Sequence, residues 1–236
     1  MNLHLYFISG LIFAGGFGAS VQARSFTFAD ADSAYADTVQ NRAAKLMVLP
    51  IIFSSPDTRL AFGVLPQLVF RNARSGNPSS VRLDAFYTLN RQFQILLRPT
   101  LWYRNDSRLL SGKMVVKEWP TSFYGIGNDT DPDNKEKFTE TMFQVSVDAA
   151  FQIKKGLFAG IGYSLRYGEI DPEDSVGRLA SRANPVPGSG TTLTSTLGTV
   201  FRLDTRDNHF YPSRGSLHRL TIDTSVKGFA SDFGFT

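Results

Sequence analysis

From Gln92 to Arg104 the chain alternates. Phe93, Ile95, Leu97, Leu101 and Tyr103 share one parity, and Gln92, Gln94, Arg98, Thr100 and Arg104 share the other, with Leu96 and Trp102 as exceptions. A strand sends successive side chains to opposite faces, so the pattern predicts a strand with one apolar and one wet face. It is long for a soluble strand and suits one tilted across a bilayer, which takes about 9–11 residues. Phe138–Ile153 repeats the pattern, with Thr141, Phe143, Val145, Val147, Ala149, Phe151 and Ile153 against Glu140, Gln144, Ser146, Asp148 and Gln152. Leu157–Glu169 follows after the tight turn Lys154-Lys155-Gly156.

Lys45–Phe53, Thr58–Arg71, Ser80–Leu89, Arg108–Trp119, Thr191–Arg206 and Gly215–Lys227 complete the readable strands, and Ser231–Thr236 reads as a further strand starting. The links leave no room for crossover helices, so the sheet is expected to be antiparallel. About nine long strands in one sheet leave exposed edges unless the sheet closes, which predicts an all-β, antiparallel transmembrane β-barrel. The longest links, Pro120–Lys137 and Ile170–Gly190, are the fifth and seventh and lie on one side with those near Pro56 and Asn90. The links near Gly76, Asp106, Lys155 and Asn208 lie on the other. Outer-membrane barrels have short periplasmic turns and long outer loops, so the even links are expected to be periplasmic.

Residues 1–23 read as a signal peptide: an apolar Leu5–Ala19 run, then Val21-Gln22-Ala23 with small residues at a cleavage site's positions. Residues 24–44, rich in Ala and Asp and without alternation, read as a periplasmic lead-in, and 45–236 as the barrel. The chain stops within Phe233-Gly234-Phe235-Thr236, where a strand has begun, so the expectation is a sequence truncated at its C-terminus. Together these place the protein in the bacterial outer membrane.

Composition fits that class. Hydrophobic content of 42% and a mean hydropathy of -0.13 disfavour a helical membrane protein, but half of each barrel strand is polar anyway. Twenty Phe and eight Tyr supply a lipid face and interfacial girdles. The absence of cysteine removes disulfides, Cys-zinc sites and thiol catalysis. The net charge of +4 comes from scattered Lys and Arg with no basic stripe, so nucleic acid is not an expected partner.

The densest polar feature is Arg202-Leu203-Asp204-Thr205-Arg206-Asp207, then Tyr211-Pro212-Ser213-Arg214-Gly215. Arg202, Asp204 and Arg206 share one parity, and three charges on one face need water or each other, so that face is the lumen. Pro212 and Gly215 are turn residues. Asp204-x-Arg206-Asp207 followed by Tyr211-Pro212-x-x-Gly215 resembles the D-x-R-D…(F/Y)-P-x-x-G signature of barrels in the Omp85 superfamily, also called bacterial surface antigen D15. Phe123-Tyr124-Gly125-Ile126-Gly127-Asn128 resembles the F-Y-G-I-G-N motif of barrel-only and TamA-like members, and Leu49-Pro50 through Arg71 is similar to their opening hairpin.

The resemblance implies a sixteen-stranded barrel of which this chain supplies about nine strands, without POTRA domains. It implies a role in outer-membrane protein assembly or polypeptide translocation. It also implies contact with outer-membrane lipid and lipopolysaccharide, and polypeptide clients or periplasmic factors as further partners. The lumen and turn residues are Arg202, Asp204, Arg206, Asp207, Tyr211, Pro212 and Gly215, and the loop residues are Tyr124, Gly125, Gly127 and Asn128. No cofactor, metal or catalytic residue is expected.

A passive small-solute pore, with Arg98, Arg104 or Arg166 setting conductance, is the first rival. A lipid-modifying barrel enzyme built on Ser216 and His218 is the second, although no acid of that parity lies nearby to orient the histidine. A soluble lipocalin-like barrel is the weakest. Asp129, Asp131, Asp133 and Glu136 are spaced like a calcium loop, but Pro132 and the missing glycine favour a solvated outer loop.

Overall fold

A computed structural model describes residues 44–71, 75–128, 130–181 and 186–235. The predicted signal peptide, most of the lead-in, Asp129 and Thr236 lie outside them. Nine antiparallel strands form one sheet in sequence order, each pairing with the next. They are β1 (Lys45–Ser55), β2 (Arg59–Phe70), β3 (Ser79–Thr88), β4 (Phe93–Tyr103), β5 (Arg108–Phe123), β6 (Glu136–Lys154), β7 (Leu157–Pro172), β8 (Gly190–Asp204) and β9 (Leu217–Thr224). The fold is all-β as predicted, an antiparallel sheet forming a barrel wall. The residues read as a tenth strand make only an isolated bridge, Ser225 to Phe235.

The outer face carries a bounded apolar band. Its upper limit is the register row Val116–Phe143–Tyr167–Leu193, and the next row on that face, Glu118–Thr141–Glu169–Thr191, is polar. On β4 to β6 the lower limit is the row Tyr103–Arg108–Phe151, and on β7 and β8 the apolar pair Leu157–Leu203 lies one row beyond Ala159–Phe201. Along β6 the band runs from Phe143 to Phe151, which matches the roughly 9–11 residues a tilted strand uses to cross a bilayer. Tyr, Phe and one Arg at the limits are residues that settle at headgroup depth.

Strands β5, β6 and β7 continue past the upper row. Beyond the pair Phe93–Glu118, β5 has no β4 partner, yet it runs on through Pro120 to Phe123 against β6. Pro120 lacks an N–H but costs the sheet nothing here, because its open side faces no strand. Gln92 closes that corner. It is 2% exposed, and its amide nitrogen donates to the carbonyls of Pro120 at 3.0 Å and Asp57 at 3.3 Å, while Oε1 accepts from Thr88 Oγ1 at 3.0 Å.

The inner face is not uniformly wet. Leu96 and Trp102, the two exceptions in the β4 alternation, sit on it in separate buried clusters. Leu96 packs with Val115 and Met142, and Trp102 with Leu109, Ala150 and Phe158. Charged residues lie between and around these clusters. Arg82 and Arg98 each bond Asp84 at 2.6 Å, and Lys117 and Arg166 bond Glu140 at 2.7 and 3.3 Å. Arg104 is not on the strand: it occupies the β4–β5 turn with φ +48°.

Glycine lets one pair span further. The inner row Asp148–Gly162–Gly198–Asp223 crosses β6 to β9 with no side chain on its two middle strands. Arg219 of β9 reaches over this bare strip to Asp148 of β6 at 2.6 Å. A Cβ at Gly198 would collide with the Asp223 carboxylate, and one at Gly162 would crowd Asp148.

The links keep the predicted parity, but their lengths differ from the reading. Because β5 and β6 are longer than expected, the fifth link shrinks to 124–135, about as long as the eighth, 205–216. The seventh, 173–189, remains the longest. The chain has no native cysteine, so single-cysteine labelling tests the orientation cleanly. An Asn128→Cys variant should react with an impermeant maleimide on intact cells, and Ser213→Cys only after the outer membrane is permeabilised. The opposite pattern would invert the assignment.

Candidate functional site

Strand β8 ends at Asp204, and the chain then folds back over the inner face before entering β9. Asp204 anchors this return. Its side chain is 3% exposed and accepts from Arg202 Nη2 at 2.7 Å and from Arg206 Nε and Nη2, each at 2.8 Å. A carboxylate held by a bidentate guanidinium and a second arginine is among the strongest paired geometries proteins use. The predicted trio therefore does meet, although Arg206 lies one step past the strand. Among the described residues, Arg202 Nε is buried without an acceptor.

Two residues that the sequence reading did not assign to this site complete it. Arg206 Nη1 donates to the His209 carbonyl at 3.0 Å, and His209 Nε2 lies 3.4 Å from Asp204 Oδ2. The imidazole meets Trp102 of β4 edge-on at a centroid distance of 5.0 Å. Arg202 lies over the same indole at 5.9 Å, and Phe158 meets it edge-on at 5.6 Å. The return thus joins β4, β7 and β8 at the end of the sheet that carries the even links. The departure of Trp102 from alternation was the available signal. His209 gave none, being one histidine in a polar turn.

Asp207 builds the turn itself. Its Oδ1 accepts from the backbone N–H groups of Asn208 at 2.9 Å, Ser213 at 3.0 Å and Arg214 at 3.1 Å, and Oδ2 accepts from Ser213 Oγ. The hydrogen bond from Ser213, with those from the backbone, lowers the Asp207 carboxyl to a pKa of about 2. Asn208 Oδ1 accepts from the N–H groups of Phe210 and Tyr211. Tyr211 and Pro212 are exposed on the turn. Gly215 closes it at φ +88°, where a Cβ would strike the Thr205 carbonyl. The signature is thus a knot of two parts: Arg202, Asp204 and Arg206 against the wall, and Asp207 with Gly215 shaping the chain around it.

The loop motif lies at the opposite end of the sheet. Tyr124 and Asn128 are exposed, and Gly125 and Gly127 have φ of +132° and +102°. Glu136 ties this loop to the seventh link by accepting from Arg178 N at 2.8 Å and Leu179 N at 2.9 Å. Asp131 caps a short 3-10 turn by accepting from Asp133 N. These carboxylates bind backbone donors. The structure does not bring the two motifs together.

Ser216 and His218 do meet, with Oγ and Nε2 3.0 Å apart and both residues exposed. His218 is the register partner of Leu203, on the outer face. Among the described residues no carboxylate bonds the imidazole.

Replacing Asp204 with Asn should leave two half-buried guanidinia facing each other and lower unfolding stability by roughly 3 kcal/mol, measured by urea titration in detergent or vesicles. An unchanged midpoint would contradict the knot. Burial holds the His209 pKa below its ordinary value, with Asp204 opposing that shift and the two arginines adding to it. The unfolded chain then takes the proton first, so stability should fall as pH drops through about 6.5 toward the folded value. His209→Gln should remove that dependence, while the Asp207 contribution is lost only between about pH 3.8 and 2.

A family model described as the Omp85 superfamily domain matches residues 74–236. No curated protein matches the chain.

Proposed function

The chain belongs to the Omp85 superfamily as an outer-membrane β-barrel protein, and from that premise we propose that it acts in outer-membrane protein assembly or polypeptide translocation. The observation that carries the reading is the Asp204 knot within the matched region, on the same face as the ion-paired row. Asp84, Glu140, Asp148 and Asp204 are each already bonded to arginine or lysine. With these four acids pre-paired and Asp223 of β9 the exception, the face stays hydrated yet offers few unsatisfied charges to hold a passing polypeptide. The Ser216–His218 contact is read as a hydrogen bond on the lipid side, because a nucleophile–base pair needs an oriented histidine.

The same row supports a second reading, a passive pore, in which Arg98 and Arg166 line the path. Deleting the gene in its host and measuring outer-membrane and secreted proteins separates the two. Assembly or translocation predicts a several-fold loss of particular polypeptides, restored by the wild-type gene and not by Asp204→Asn. An unchanged protein profile, with a bilayer conductance altered by Arg98→Gln and Arg166→Gln, would replace this reading with the pore.

A further inference from the structure

On the outer face, at the end of the sheet bearing the even links, Tyr103, Arg104, Arg108, Leu110, Ala149 and Phe151 line a cleft of about 360 Å³. It straddles the lower limit of the apolar band. Leu110 and Ala149 pair within the band, and Tyr103, Arg108 and Phe151 form its last row. Ala149 is small between Leu110 and Ile161, which leaves a furrow over Ala149 at the apolar edge of the cleft. Arg108 stands over the Phe151 ring at 5.5 Å, and Arg104 projects from the turn just below.

The charge here is one-sided. Among the described residues, neither Arg104 nor Arg108 is paired with a carboxylate. The one acid in their turn, Asp106, spends both oxygens on the backbone N–H groups of Gly76 and Asn77 at 3.0 Å. Lys154 and Lys155 lie in the adjoining turn region at the same end. By contrast, Arg82 and Arg98 share Asp84, Arg166 has Glu140, Arg219 has Asp148, and Arg202 and Arg206 share Asp204.

We propose that this cleft binds an anionic glycerophospholipid of the periplasmic leaflet. Its phosphate would lie between the Arg104 and Arg108 guanidinia, and one acyl chain would lie along the furrow over Ala149. Planar guanidinia match phosphate oxygens, and a girdle tyrosine and phenylalanine fix the depth at which the headgroup stands. The site rests on the outer-membrane orientation given above, which the cysteine labelling tests independently. Failure of the lipid titration with the expected labelling therefore overturns the site alone.

Native mass spectrometry of the full chain, folded in detergent and titrated with phosphatidylglycerol, phosphatidylcholine or lipid A, reads the binding directly. Phosphatidylglycerol should bind more tightly than phosphatidylcholine. Each arginine lost should weaken it about fivefold, so Arg104→Gln with Arg108→Gln should weaken it roughly twenty-five-fold. Arg91→Gln, in the β3–β4 turn at the other end, should change nothing. Ala149→Leu fills the furrow without touching the charge and should also release the lipid, which keeps the test decisive if the arginine variants fold poorly. Equal binding of phosphatidylglycerol and phosphatidylcholine, binding of lipid A alone, or full retention of phosphatidylglycerol by the double arginine variant would overturn the proposal.

Discussion

A strand in hydrocarbon must give every backbone N–H and C=O a protein partner, and everything else in this wall follows from that requirement. It excludes loops from the band between the two limiting rows, and the links lie outside it. It demands a pure alternation wherever lipid touches the chain, which β4, β6 and β7 obey on their outer parity. It relaxes once the strands leave the band. There β5 tolerates Pro120 on an open side, and Gln92 supplies by side chain the donors that a strand would otherwise give.

The inner face solves a different problem. It carries most of its charge in pairs, and it must also curve. Leu96 and Trp102 bring apolar mass to the concave side, and arginine–carboxylate pairs occupy the spaces around them. The Asp204 knot joins both devices. A single carboxylate gathers two guanidinia, and the chain they hold lays His209 on Trp102. The motif residues are therefore structural in a specific sense: they fix where a returning segment rests on the wall.

The strands were legible because lipid enforces parity, and all nine starts fall within two residues of the reading. The meeting of Arg202, Asp204 and Arg206 was legible because three charges on one parity need each other or water. Extensions past the membrane were not. Proline at 120 reads as a terminator, while the physical rule concerns only the side of the strand that bonds. Of the strand read as starting at 231, the described residues 231–235 form only a bridge, and alternation over so few residues carries little information. His209 and Trp102 meet across four strand positions of the curved wall, a distance no local pattern encodes. Leu96 and Trp102 were visible as anomalies, and their meaning needed the third dimension.

Every strand pairs with its immediate successor in sequence, so each new ladder closes only a short loop and the wall can grow hairpin by hairpin. The long ties break that order. Arg219 finds Asp148 only after three further strands have been laid down, and His209 finds Trp102 only when the β8 return exists. These contacts cannot guide early pairing. They act as late locks, and a wall stalled at β7 would have its ladders in place and neither fastening made. Loss of either tie should therefore be felt mainly as faster unfolding, with the rate of sheet formation little changed.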